Sequence, residues 1–291
     1  MSVHFNRESA FLKIGNSTVL AIVSNPEEKV PVSNDYQIGF VELPAAGGAT
    51  HLEVIQRWIS EFDTDHTCNP LVRFFSKSGN GKAKRLPKRL LNVGVAGELE
   101  VHLVETGPED TGEWIALSHI WGVNCYCNTH ENLQQHLEGL AFDKLPATFR
   151  DAATVTRAMG HRYLWIDSLC VIQGPYGDFQ DAAERMEDIF YNAYCVIAAT
   201  CATDHFSGFL KPRRARDYIG LSRDGQNRPP IYICELIDDF KTHVLEGDLS
   251  RRGWVLQDHA LARRTIFFTE HQTYFECGQG IRCETSTKMS K

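Results

Sequence analysis

Between residues 114 and 200 short apolar runs alternate with helix-like stretches, and this alternation restricts the fold more than any other feature. Residues 114–118, Trp-Ile-Ala-Leu-Ser, read as a buried strand. Residues 145–160 carry a proline near the first turn and a glycine at the end, the punctuation of a helix. Residues 162–167 read as a second strand and 178–191 as an amphipathic helix with Ala182, Met186, Ile189 and Phe190 inward. Residues 195–200 form a third apolar strand. Two successive strand–helix–strand passages predict an α/β fold whose mainly parallel sheet is flanked by helices and joined by right-handed crossovers.

The flanking regions read differently. Residues 17–23 and 36–41 are β-like, and 51–62 places Leu52, Ile55, Ile59 and Phe62 at helical spacing. Residues 98–105 alternate as a half-exposed strand with Leu99, Val101 and Leu103 on one face. Thr129 is placed to cap a helix over 130–138 that Gly139 ends. Residues 230–235 suggest a strand, 252–263 a helix, and 266–269 with 273–277 a closing β-hairpin. The expected organisation is a mixed α+β N-terminal extension over 1–84, an α/β domain over 85–283, and a polar, frayed tail over 284–291.

A net charge of −7 argues against a nucleic-acid partner, whose backbone demands a basic surface. No run approaches the roughly 18 apolar residues of a membrane span. The first residues lack the blocks of a signal peptide, so a cytoplasmic location is expected. Nine cysteines without CxxC spacing read as reduced, mostly buried thiols rather than a metal site. The basic runs at 82–89 and 211–216 read as solvated loops, the second with arginines suited to phosphate.

Chemistry concentrates in three tryptophan-bearing runs. Asp167 ends the second strand, where a carboxylate can meet a ligand hydroxyl or a developing cation, or else cap the following turn. Ser118 and His119 are sequence neighbours and point apart, which argues for hydrogen bonding rather than a nucleophilic dyad; Trp121 is either a cavity wall or core. Cys170 could serve as a nucleophile with His119 or His259 as base, but its apolar neighbours favour an inert buried thiol. Gln173 either ties down its loop or touches ligand. Trp254, Gln257 and Asp258 fall at i, i+3 and i+4, on one face of a helix, and Arg252 before them can pair with a carboxylate, a ligand's or that of Asp167.

Read together, Ala116-Leu-Ser-His-Ile-Trp-Gly122, Tyr163-Leu-Trp-Ile-Asp-Ser-Leu-Cys-Val-Ile-Gln173 and Arg252-Gly-Trp-Val-Leu-Gln-Asp258 resemble the motifs of the fungal HET (heterokaryon incompatibility) domain. The resemblance covers roughly residues 85–283 and includes the helix at 145–160 and the segments at 189–193, 207–210 and 275–277. It implies fungal non-self recognition in which activation triggers cell death. It also implies a core similar to TIR domains, with a flavodoxin-like fold that can cleave NAD using an acidic residue. The implied catalytic residues are Asp167, Asp258 and His119. The implied ligand-binding residues are Ser118, Trp121, Trp165, Cys170, Gln173, Arg252, Trp254 and Gln257. NAD is the candidate substrate, with no metal and no resident cofactor. A small-molecule ligand is the expected partner, and homo-oligomerisation is left open.

One departure stands out. Asp258 replaces the glutamate usual in the third motif, and the lost methylene shortens its reach by about 1.5 Å. The chain also ends soon after that motif, so a stand-alone module is expected. Three functions follow: a cell-death protein that cleaves NAD, a repurposed enzyme that cyclises or isomerises a secondary metabolite, and a non-catalytic interaction module.

Overall fold

In the computed structural model, residues 3–6, 10–14, 17–26, 36–64, 84–221, 230–251 and 261–285 are described. In chain order the strands and helices are β1 (Val3–Asn6), β2 (Phe11–Ile14), β3 (Ser17–Ser24), β4 (Gln37–Ile38) and α1 (Ala49–Thr64). Next come β5 (Lys84–Arg85), β6 (Arg89–Asn92), β7 (Glu100–Glu105), β8 (Thr111–Gly112), β9 (Ile115–Ser118), α2 (Leu133–Glu138) and β10 (Leu140–Ala141). The middle of the chain supplies α3 (Ala147–Ala158), β11 (Tyr163–Ile166), the single turn α4 (Asp167–Cys170), α5 (Phe179–Asn192) and β12 (Cys195–Ala198). Last are β13 (Tyr218–Leu221), β14 (Ile231–Glu235), β15 (Arg264–Phe268), β16 (Thr273–Cys277) and β17 (Gly280–Cys283).

The principal sheet has nine strands in the order β10-β7-β6-β11-β9-β12-β15-β16-β17. Pairing is parallel only among β11, β9, β12 and β15. The expected mainly parallel sheet is therefore corrected to a mixed one. The physical reason is connection length: β6 reaches β7, and β15 reaches β16 and β17, through turns too short for a crossover, so those neighbours run antiparallel. The expected closing hairpin forms at β15–β16 and gains β17 as a third strand.

β9, β11 and β12 pair in parallel, as the two strand–helix–strand passages predict, and β15 joins them. α3 joins β9 to β11, and α5 joins β11 to β12 on the other side of β9, so the two helices cover opposite faces. Ile115, Leu117, Leu164, Ile166 and Ile197 point towards α3 and α1, whereas Ala116, Trp165 and Val196 point towards α5. α3 is sealed by Phe149, Ala152, Ala153 and Val155, all fully buried. It stops at Gly160, whose φ of +79° is the left-handed conformation that a helix end favours in glycine. On α5 only Phe190 is buried, while Ala182, Met186 and Ile189 are half-covered.

A second, six-stranded sheet combines β1 to β4 with β13 and β14, where β14 pairs antiparallel with β3. Here too some expectations change. Leu99 is 82% exposed because β7 begins at Glu100, and the Leu99 carbonyl instead accepts the amide of Phe142. α2 starts at Leu133, because Asn132, not Thr129, makes the local bonds: its side chain accepts the Thr129 amide at 2.7 Å and donates to the Cys127 carbonyl at 3.0 Å.

The basic segment at 211–216 is not a solvated loop throughout. Arg213 pairs with Glu284, and Arg216 donates to the carbonyls of Glu235 and Phe40. The expected frayed tail is ordered at its start, where Glu284, held by Arg213, and Thr285 are buried. Among the described residues no helix is long and apolar enough to cross a membrane.

Candidate functional site

β9, β11 and β12 end side by side, with β11 and β12 on opposite sides of β9 and the helices that lead to them on opposite faces of the sheet. At such a point the chain diverges above and below the sheet and leaves a crevice at the carboxyl ends of the strands. Ser118 closes β9, and its carbonyl accepts the amide of Ala199, linking the ends of β9 and β12. Asp167 follows β11 directly and opens α4.

The Asp167 carboxylate is fixed from two sides. One oxygen accepts the Ser168 amide at 2.7 Å, and the other accepts the indole Nε1–H of Trp121 at 2.9 Å. His119 Nδ1 lies 3.9 Å from the first of these oxygens. The side chain is still 28% exposed, so the turn-capping bond and access for a ligand coexist. Trp121 is half-buried and lies 5.9 Å from the ring of His205, which in turn sits 4.9 Å from His119 and 4.8 Å from Phe149. His119 and His205 are both buried. Burial holds His205 down to about 4, so its ring is neutral near neutral pH, and its Nδ1 accepts the Tyr126 amide at 3.0 Å.

A loop folds over this corner. Gly122 takes a φ of +73°, and a Cβ there would come within 2.4 Å of the Asp204 Cβ, which accounts for glycine at that position. The loop then runs exposed to Cys125 before Asn128 docks: its amide donates to the Ser168 carbonyl, and its carbonyl accepts from Gln173. The Asn128 side-chain amide, the Ser168 hydroxyl and His205 Nε2 are buried without a partner among the described residues. Cys125 is exposed, and partial burial together with Cys127 and the Asp167 carboxylate pushes its thiol up to about 12.

The expected site residues thus divide. Ser118, His119, Trp121 and Asp167 come together at the strand ends. Gln173 is turned to its own loop, donating to the Val171 carbonyl at 3.1 Å. Trp165 and Cys170 belong to the other face of the sheet, facing α5. Cys170 is buried, accepts the Ile166 amide through its sulfur and is pushed up to about 12 by burial, so it is the inert thiol its apolar neighbours suggest. Arg252, Trp254, Gln257 and Asp258 lie outside the described residues.

His205, Asn128 and Ser168 were missed by sequence reasoning. The nearest signal was the turn at 207–210, which begins two residues after His205. Among the described residues no group of three or more potential ligands could hold a metal ion.

Neither curated proteins nor solved structures gave a match to the chain. The model of the family described as Heterokaryon incompatibility protein (HET) matches residues 114–258. That stretch begins on Trp114, at the head of the first tryptophan-bearing run, and ends on Asp258, the last residue of the third. The strand-end cluster lies inside it, and through residues 114–258 the chain belongs to the HET family.

Proposed function

We propose that this HET-domain protein acts in fungal non-self recognition and cell death by hydrolysing the N-glycosidic bond of NAD at the strand-end cluster. The observation that carries the reading is Asp167: a partly exposed carboxylate at the ends of parallel strands, locked by the Ser168 amide and the Trp121 indole. Cleavage of an N-glycosidic bond passes through an oxocarbenium-like state, which a fixed anion stabilises without reorganising. Nicotinamide leaves with the bonding electron pair. Water then adds to the ribosyl carbon and releases a proton, giving ADP-ribose.

Trp121 offers an indole face for a planar ring, held at one orientation by its bond to Asp167. The buried polar groups of Asn128, Ser168 and His205 are the kind that a polar ligand completes. In this reading Arg252, Trp254, Gln257 and Asp258 are further site residues supplied by the third motif, and Ser118 and His119 support Asp167. The order β11-β9-β12-β15 within the parallel strands is that of doubly wound nucleotide-binding folds, which favours a TIR-like core. The same reading takes 85–283 as the working domain, 1–84 as its extension, and the cytoplasm as its location.

A purely structural role for the motifs would need a sealed Asp167, and its exposure speaks against that. A metabolite cyclase would need an enclosed aromatic pocket at the carboxylate, whereas the cavity of about 720 Å³ beside α5 does not include Asp167. The test is incubation of the purified full chain with NAD and chromatographic detection of nicotinamide and ADP-ribose. Wild type should release both, and Asp167→Asn should release neither while keeping its thermal midpoint. Folded wild-type protein that leaves NAD intact at high enzyme concentration would overturn the mechanism.

A further inference from the structure

α5 is anchored at both ends. At its start Asp178 accepts the Ile172 amide at 2.8 Å and bonds to Arg89 and Lys88. At its end the Asn192 carbonyl accepts Lys84 Nζ at 2.7 Å. Beside the helix lies a cavity of about 720 Å³, inside the range of small-molecule sites. Its wall carries the cations Lys84, Arg85, Lys88, Arg89 and Arg185, in a chain whose net charge is −7. Lys88 and Arg89 share Asp178, and Arg85 faces Glu109. Lys84 and the exposed Arg185 form no ion pair among the described residues. Asp181 and Asp188 reach the same cavity from the turns on either side of Arg185, but both are exposed to solvent, which screens them.

Lys84 also stands among like charges. It is half-buried, and burial, together with the nearby guanidinium groups of Arg263 and Arg264, holds its ammonium down to about 8. Arg264 has a counter-ion in Asp63 at 2.7 Å. Arg263 has none among the described residues, and its Nε is buried without a hydrogen-bond acceptor there. The acidic group that offsets these charges at Lys84 is Glu113, whose side chain is 63% exposed. Cations crowded out of full contact with water destabilise one another, and a bound anion relieves them. We infer that the Lys84 end of this cavity is a second site, separate from the Asp167 cluster, for a phosphate group, free or on a small molecule. Arg185 offers a planar fork to two phosphate oxygens, and Lys84, with one N–H on Asn192, keeps two to donate. Arg185 and Asn192 lie two turns apart on one face of α5, so both cations address the same space. Glu113, Asn192 and Arg263 come just before β9, β12 and β15, which places the site at the amino ends of those strands, away from Asp167.

The test is isothermal titration of the full chain with four probes: inorganic phosphate, ribose 5-phosphate, ribose and acetate. Saturable one-to-one binding is expected for the two phosphate probes, with ribose and acetate silent; the tighter of the two tells whether the site takes the free ion or an ester. Lys84→Met keeps the length of the side chain but removes its charge, and should weaken phosphate about tenfold. Arg185→Gln, at an exposed position that leaves the fold alone, should weaken it about fivefold. Asp188→Asn removes a neighbouring like charge and should tighten it about twofold. Phosphate should raise the thermal midpoint of the wild type and leave that of Lys84→Met unchanged. Asp167→Asn should bind phosphate as the wild type does, so the site stands or falls apart from NAD cleavage. No saturable binding of either phosphate probe, wild-type affinity in Lys84→Met or Arg185→Gln, acetate as tight as phosphate, or loss of binding in Asp167→Asn would overturn the site.

Discussion

α3 and α5 are both crossover helices of the same parallel strands, yet they meet the sheet in different ways. α3 presents Phe149, Ala152, Ala153 and Val155 and excludes solvent entirely. α5 presents Ala182, Met186 and Ile189 but leaves them half-covered, and its exposed Asp181, Arg185 and Asp188 line a cavity beside it. The same topology therefore yields a core on one face and a cavity on the other. Small apolar residues at helical spacing let a helix sink onto a sheet, while charged neighbours hold it away.

The contrast can be broken most severely on the closed face. Phe149→Ala leaves a void that the packed helix cannot fill, with an expected loss of about 4 kcal/mol, or roughly ten degrees in the thermal midpoint. On the open face the sensitive point is an anchor. Asp178→Ala strips Arg89, which is buried, of its closest carboxylate and frees the Ile172 amide, at an expected cost of about 3 kcal/mol in denaturant unfolding. Met186→Ala, midway along α5, should cost only about 1 kcal/mol, because its side chain is half-covered already. A Met186→Ala loss as large as that of Phe149→Ala would mean that α5 is seated as firmly as α3.

Acid should distinguish the two regions by pH window. His205 beside the strand-end cluster protonates at about 4 in the fold but near 6.5 when unfolded, because burial disfavours its charge. The unfolded chain takes up that proton first, so stability falls as pH drops from about 6.5 to about 4. Burial alone would raise Asp178, but Arg89, Lys88 and the Ile172 amide outweigh it and hold the carboxyl at about 2. Its stabilisation is complete above the unfolded value of 3.8 and is lost as pH falls towards 2. Thermal midpoints across this range should show both steps. His205→Asn should shrink the upper step, with His243, also lowered to about 4 by burial, supplying part of the remainder. Asp178→Asn should remove much of the lower step alone.

What could be read in advance followed from local rules. The proline and glycine that bound residues 145–160 mark α3 within two residues at each end, and the apolar runs at 114–118 and 195–200 mark β9 and β12. Asp167 was recognisable because a strand ends there. Its partners were harder to see: Trp121 lies 46 residues away in sequence and His205 belongs to a turn with no ligand-like spacing. The site was expected as one cluster, but Trp165 points to the opposite face from Leu164 and Ile166, and its tryptophan neighbour there is Trp114. Arg89 meets Asp178, 89 residues apart, at the cavity beside α5, and nothing in local pattern announces such a pair.

The sheet of β1 to β4 carries a consequence for how the chain is made. β3 completes its pairing through β14, so Leu20 to Val23 wait for Tyr232 to Glu235. At ordinary synthesis rates the interval between the two is on the order of tens of seconds. During that time the first-made strands expose an unpaired edge, a state that invites wrong partners or chaperones. Strands β1 to β4 thus wait long for β14, and a truncation anywhere before residue 231 would leave that edge of β3 unpaired.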